Sequence, residues 1–245
     1  MIFITITAAL KNDTLWNLYQ VLDGHISTRI AIQPIINLQT NEIYGHEILA
    51  RWNDFPPDQI FALAEERNVV NILEELIVNK IRIKRPYIKG HMFVNIFPSI
   101  KHPEIFEYLS KENVILEITE ASAINFQGVS KLKKMGFSIA IDDLGTGTAT
   151  FDSLLKIRPN YLKLDKVLTQ SFALEDRNSL FKAFVDHASR INAKVIVEGI
   201  ETAEQLEASV KTGCHYGQGY FLGKPTILSS SNDIKLKHYN DGEGN

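Results

Sequence analysis

The chain has 245 residues, of which 44% are hydrophobic, and a formal net charge of −3. That size and apolar content suit one large domain or two small ones with a sizeable core. The charge argues against a partner made of duplex nucleic acid. The single cysteine, Cys214, rules out an intrachain disulfide and suits a reducing cytosol, where it reads as a small apolar filler.

No run approaches the length of a membrane span, so no membrane partner is expected. The apolar start MIFITITAAL lacks a basic flank and meets Lys11-Asn-Asp13 at once, so no secretory leader is expected either. The expectation is a soluble cytoplasmic protein without a membrane-bound sensor of its own.

In chain order, Asn12 or Asp13 is placed to cap a short helix through Leu22, with Leu15, Leu18 and Leu22 on one stripe and Gly24 as its stop. Two strand-like runs follow, Arg29–Ile36 and Ile43–Trp52. The link between them is too short for a parallel crossover, so they should pair antiparallel. Helical patterns lie at Pro57–Asn68 and Val70–Arg82. Beyond them strand and helix alternate.

The strand-like runs are His91–Ile96, Val114–Thr119, Ser138–Asp142, Tyr161–Asp165, Lys194–Glu198 and Tyr216–Phe221. The helical patterns between them are Gln127–Met135, Phe151–Ile157, Ser171–Ile191 and Thr202–Lys211. The last opens on Thr202-Ala-Glu-Gln205, the spacing of a capping box. Alternation means parallel strands covered by helices. This many strands at this length favour a closed barrel, α/β in class: a modified TIM (β/α)8 barrel with an antiparallel first strand. Residues 1–28 are expected to form an N-terminal extension, 29–232 the barrel and 233–245 a polar tail, with a surface strand or helix just after Pro225.

Barrel sites sit at the carboxyl ends of the strands. Strand two carries Glu47 and Arg51, strand three Asn95, and strand four Glu117 with Glu120 beyond. Strand five ends in Asp142-Asp143, followed by a Gly145-Thr-Gly147 turn. Strand six carries Lys163 and Asp165, strand seven Glu198 with Glu201 beyond, and strand eight Gln218. Alone, any one of these is a solvated rim charge or a helix cap. Side-chain alternation should send Asp142 and Asp143 in different directions.

Glu117 is the informative one. It lies inside the apolar run Val114-Ile-Leu-Glu-Ile118, where a carboxylate needs a partner, and a divalent cation is the simplest. Oxygen donors without a His or Cys cluster suit Mg2+, Mn2+ or Ca2+. More acids than one ion needs suggest two ions, the usual device for in-line attack at phosphorus. His46 and His215 read as structural or surface residues.

These residues resemble the EAL-domain phosphodiesterases that hydrolyse cyclic di-GMP. The resemblance runs from Gln33 to Pro225. It rests on QPI at Gln33–Ile35, YGHEILARW at Tyr44–Trp52, FALAEERNVV at Phe61–Val70 and FVNIFPS at Phe93–Ser99. It continues through LEITE at Leu116–Glu120, DDLGTG at Asp142–Gly147, LKLD at Leu162–Asp165, VEGIET at Val197–Thr202 and QGYFLGKP at Gln218–Pro225.

The resemblance implies hydrolysis of cyclic di-GMP to linear pGpG with two Mg2+ or Mn2+ ions, and family members often dimerise near the Asp142–Phe151 loop, so a homodimer is expected. It implies that Glu47, Asn95, Glu117 and Asp142 hold one ion, and that Asp143 and Glu198, sharing Asp142, hold the other. Lys163 would orient or help deprotonate the attacking water, and Gln218 would position substrate or water. Glu198 and Glu201 join these two in the catalytic set. Gln33 would hold guanine, Arg51 phosphate, and Asp165 falls with the substrate-contacting set. Glu120 and Glu201 would brace the loop and the second ion.

The chain departs from the family pattern at Ile48, Leu144 and Thr148-Ala-Thr150-Phe151. Against the enzyme stands a catalytically weak or inactive relative that only binds the dinucleotide or a protein. Such relatives usually lose an ion ligand, and none is lost here.

Overall fold

The asparagine that ends the first strand decides how the barrel begins. Asn37 Oδ1 accepts from the amides of Gln39 (2.9 Å) and Thr40 (3.2 Å), and Asn41 takes a left-handed φ of 57°. Asparagine tolerates that conformation and makes such turns at low cost. The chain therefore reverses tightly, and β1 (Arg29–Asn37) pairs antiparallel with β2 (Ile43–Arg51), Gln33 opposite Glu47.

The computed structural model describes residues 14–53, 55–119, 124–144, 151–169 and 175–228. The expected cap at Asn12 or Asp13, Glu120, the Gly145-Thr-Gly147 turn, the departures at 148–150 and the tail beyond 228 lie outside the described residues. Residues 14–22 form helix α1. It buries Leu18 and Val21 in the core and ends where Gly24 takes a φ of 77°.

Next come α2 (Pro57–Glu66) and α3 (Val70–Lys84), then the alternation: β3 (His91–Ile96), β4 (Val114–Thr119), α4 (Phe126–Lys134), β5 (Ser138–Leu144), α5 (Phe151–Ile157), β6 (Tyr161–Leu164), α6 (Lys166–Thr169), α7 (Glu175–Arg190), β7 (Lys194–Val197), α8 (Ala203–Lys211), β8 (Tyr216–Gly217) and β9 (Thr226–Ile227).

Strands β2 to β8 pair in sequence and in parallel. Strand β1 closes the ring, antiparallel to both β2 and β8, which gives the expected modified barrel with its reversed first strand. Its other half pairs with β9, the surface strand after Pro225. The capping box at Thr202 and Gln205 is present with both of its bonds.

One expected element differs, and one further helix is present. The run from Tyr216 to Phe221 is a strand only over Tyr216–Gly217. Beyond it the chain turns against Ile200: a Cβ on Gly219 would lie 2.1 Å from the Ile200 carbonyl oxygen, so only glycine fits. Gln218 thus stands just past β8 rather than on it. The separate four-residue α6 precedes α7, which is described from Glu175; the expected start at Ser171 lies outside the described residues.

Apolar packing comes in two parts. The larger lies between the strands and the helices. The smaller fills the lumen: Ile35, Phe93, Ile115, Ala140, Ile196 and Tyr216, with Tyr44 and Tyr161 against them.

Candidate metal centre

The period of a strand builds the mouth. On β3 to β8 each lumen residue of the smaller core is followed, two positions on, by a polar one: Phe93 by Asn95, Ile115 by Glu117, Ala140 by Asp142, Tyr161 by Lys163, Ile196 by Glu198 and Tyr216 by Gln218. Residues two apart share a face, so these polar side chains crown the apolar plug. On the reversed β1 the order inverts, and Gln33 precedes Ile35. Glu47 enters from β2.

Lys163 is the hub. Its Nζ lies 2.9 Å from Glu117 Oε1, 3.0 Å from Asp142 Oδ2, 2.7 Å from Glu198 Oε1 and 4.0 Å from Glu47 Oε2. Gln218 Nε2 donates to Glu47 Oε2 (2.5 Å) and Gln33 Oε1 (3.1 Å), and Asn95 Nδ2 donates to Glu47 Oε1 (3.2 Å). Gln33 is anchored in turn by its own Nε2 on the Gly223 carbonyl at 3.1 Å. Glu117 and Lys163 are 0% and 1% exposed, so little of this charge is screened by water.

One ammonium does not balance Glu47, Glu117, Asp142, Asp143 and Glu198. Burial, and then the neighbouring acids, push the carboxyls up: Glu117 well above the usual range, Asp142 upward, Asp143 to about 6 and Glu198 to about 8. Burial works against the Lys163 charge, but Asp142, Glu117 and Glu198 outweigh it and hold its pKa well above that of a free lysine.

Asp143 corrects the expectation of diverging carboxylates. β5 loses its regular register with β6 between Ile141 and Leu144, and Asp143 takes a left-handed φ of 58° while its amide donates to Asp142 Oδ1 at 2.9 Å. A strand irregularity of this kind re-aims a side chain. Adjacent acids on one strand therefore converge. Asp142, Asp143 and Glu198 each offer an oxygen within 4.8 Å of the others, and so do Glu47, Glu117 and Asp142.

The donor set tests well for hard divalent cations. It is all oxygen, it forms two groups sharing Asp142, and the buried Glu117 Oε2 and Gln218 Oε1 have no hydrogen-bond partner.

Other expected site residues bond elsewhere, though Asp165 lies near enough to help push the Asp143 carboxyl up. Arg51 is at the rim, four residues beyond Glu47, and its Nη1 donates to the Ala50 carbonyl (2.9 Å). Asp165 accepts from the Val167 amide (2.8 Å), capping α6. Glu201 is exposed, and its backbone amide donates to Gln205 Oε1 (2.7 Å). His46 is buried with Nδ1 on the Lys89 carbonyl, and His215 Nδ1 accepts from the Val195 amide, so both are structural. Burial pushes the Cys214 thiol up to about 11, which makes it a poor nucleophile.

Two buried polar residues that the sequence reading passed over support strand exits. Glu74 on α3 accepts from the Phe97 amide (3.1 Å), just past Asn95. Thr169 on α6 donates to the Glu198 carbonyl (2.6 Å). Thr169 sits in an apolar-looking run and Glu74 in a helix with another acid beside it, so neither stands out by type.

The family model described as EAL domain matches residues 24–225. The probable cyclic di-GMP phosphodiesterase PdeD of Escherichia coli strain K12 is 29% identical over 218 residues, covering 80% of this chain and 41% of that protein. The chain thus spans well under half the length of that relative. The solved structure of PaMucR phosphodiesterase in complex with c-di-GMP superposes with a TM-score of 0.75 at 25% identity, covering 87% of this chain and 97% of that one. The manganese and c-di-GMP complex of Klebsiella pneumoniae BlrP1 shares the fold, with a TM-score of 0.72 at 23% identity over 82% of this chain and 56% of that one.

Proposed function

This chain belongs to the EAL domain family, and from that membership and the barrel mouth we propose that it is a metal-dependent phosphodiesterase that opens cyclic di-GMP to linear 5′-pGpG. The observation that carries the reading is the pair of carboxylate groups sharing Asp142 around a buried, undercompensated Glu117. The relative and the PaMucR structure, both described as phosphodiesterases of or with that dinucleotide, support the substrate.

Glu47, Asn95, Glu117 and Asp142 would hold one Mg2+ or Mn2+ ion, and Asp142, Asp143 and Glu198 the other. When bound, the ions supply Lewis acidity and a water of lowered pKa at the scissile phosphate. Lys163 keeps its proton, so it acts as a donor that orients the attacking water and offsets acid repulsion. Gln218, tied to Gln33 and Glu47, positions substrate. Gln33 takes guanine, Arg51 a phosphate from the rim, and Asp165 contributes through the helix it caps. By the family resemblance, Glu120 and Glu201 would brace the loop and the second ion. Water adds to phosphorus, the bond to one ribose 3′-oxygen breaks, that oxygen takes up a proton, and the product carries a 5′-phosphate.

A homodimer accords with the exposure of Leu155 on α5 and Val167 on α6, the helices flanking β6. A cytoplasmic location accords with the lone, buried thiol. Among the described residues no helix is long and apolar enough to cross a membrane.

The test is direct. Purified protein is incubated with cyclic di-GMP and Mn2+, Mg2+ or EDTA, and the products are resolved. Ring opening that needs the metal is expected. Its absence sinks the enzyme reading, and retained binding without turnover points to a receptor.

A further inference from the structure

We propose that Thr169 is a positioning residue for Glu198, and that the short α6 exists to lock the geometry of the Asp142–Asp143–Glu198 half of the site. This rests on the two-ion reading above.

Four contacts tie three strand exits and α6 together, two of them made by α6 itself. Asp165, the residue after β6, donates its amide to the Leu144 carbonyl at 3.1 Å, one residue past Asp143. The same Asp165 caps α6 through the Val167 amide (2.8 Å). At the other end, the Thr169 hydroxyl donates to the Glu198 carbonyl at 2.6 Å. The Glu198 amide donates to the Leu164 carbonyl at 2.9 Å, so both backbone groups of Glu198 are fixed.

The packing is equally tight. Gly199 takes a φ of 67°, and a Cβ there would lie 2.3 Å from Lys166 Cβ. Glycine is required because α6 lies directly on the chain that follows Glu198. Thr169 itself is 0% exposed. A hydroxyl that deep must be hydrogen-bonded, and the bond it makes ends on the residue whose carboxylate closes the second group.

The two halves of the site differ in how their members are held. Glu47 and Glu117 project from the interiors of β2 and β4, where ladder bonds on both sides fix the backbone. Asp143 and Glu198 stand at or past the ends of β5 and β7. Strand exits need another support: the Asp165 amide supplies it beside Asp143, and α6 supplies it at Glu198 through Thr169. Outer contacts of this kind typically alter metal affinity by about 10- to 100-fold.

The experiment compares wild type, Thr169→Val and Thr169→Ser by Mn2+ calorimetry and by Mn2+ electron paramagnetic resonance, with melting temperature alongside. Wild type is expected to bind two ions and show a spin-coupled pair. Thr169→Val, which keeps the volume and loses the donor, should keep the tighter ion, loosen the weaker one by about tenfold or more and lose the coupled signal. Thr169→Ser should restore both. A Thr169→Val protein with two ions of unchanged affinity overturns the proposal, whether or not it melts lower. Failure of wild type itself to bind two ions would instead sink the two-ion reading beneath it.

Discussion

The two ends of the barrel lumen are built from the same strands, two residues apart, and they behave as opposites. The lower end is an aromatic plug. Tyr44 stacks on Tyr216 with ring centroids 4.0 Å apart, Tyr161 meets Phe93 edge-on at 5.2 Å, and the Tyr44 and Tyr161 hydroxyls bond at 2.5 Å. Burial and hydrogen bonding raise the pKa of Tyr44 further above that of a free phenol. Rings and phenols there pair with one another, and His91, packed on Tyr44 at 4.5 Å, is the exception, its buried Nδ1 left without a partner. The upper end crowds acids around a single ammonium and leaves buried oxygens without donors. Aromatic packing dominates one layer, and carboxylate and amide oxygens without donors the next.

That contrast can be broken experimentally. The largest effect is expected from Asp142→Ala, which removes the carboxylate common to both groups. Turnover should fall to background while the melting temperature stays near wild type, because Lys163 keeps Glu117 and Glu198 and the acids in excess of it lose one of their number. Near-normal product formation would remove the two-ion account. One layer down, Phe93→Ala should cost about 3–5 kcal/mol of stability through lost burial and a cavity, read by denaturant midpoint, while the folded fraction keeps its kcat. Equal losses of kcat in the two variants would mean that the layers are not functionally separate.

Lys163→Met tests the balance of charge in the mouth. Removing one partner of a buried ion pair costs about 3–5 kcal/mol, so the metal-free variant should melt well below wild type. Mn2+ should raise its melting temperature more than it raises that of wild type, since a bound cation replaces the lost charge. An equal rise in both would show that Lys163 does not stand in for a cation.

The smallest effect concerns Glu74, outside the lumen. Burial pushes its carboxyl up to about 7, partly offset by the Phe97 amide. The folded state therefore holds the proton more tightly than the unfolded chain. Its contribution to stability is complete below pH about 4.5 and is lost as pH rises through about 7. Glu74→Gln should be more stable than wild type at pH 8, by up to a few kcal/mol, with the difference shrinking toward pH 5. A difference independent of pH would mean that Glu74 is ordinarily ionised.

Much of this was legible in the residues, for a physical reason. Strand periodicity is local, so β3, β4 and α5 fall on their expected bounds, and the polar residues at the carboxyl ends of the expected strands mark the mouth. Glu117 announced itself by interrupting an apolar run. What escaped depends on contacts between distant segments. The early end of β8 is set by Ile200 meeting Gly219, and the convergence of Asp142 with Asp143 by a local break in strand register. The work of Thr169 is defined by a carbonyl 29 positions further along. Arg51 is assigned by motif alone, and its guanidinium donates to the Ala50 carbonyl.

The reversal of β1 has a mechanical side. Arg29, its first residue, lies opposite Arg51, the last residue of β2, so β1 begins at the level where its neighbours finish. Helix α1 therefore feeds into the barrel beside the acids and not at the aromatic end. A pull or twist on the segment before residue 29 acts on the rim first and travels along β1 through Gln33, whose amide reaches both Gln218 and Gly223. A barrel with all strands parallel would take the same load at its base. Turning one strand around puts the handle of the vessel at its lip.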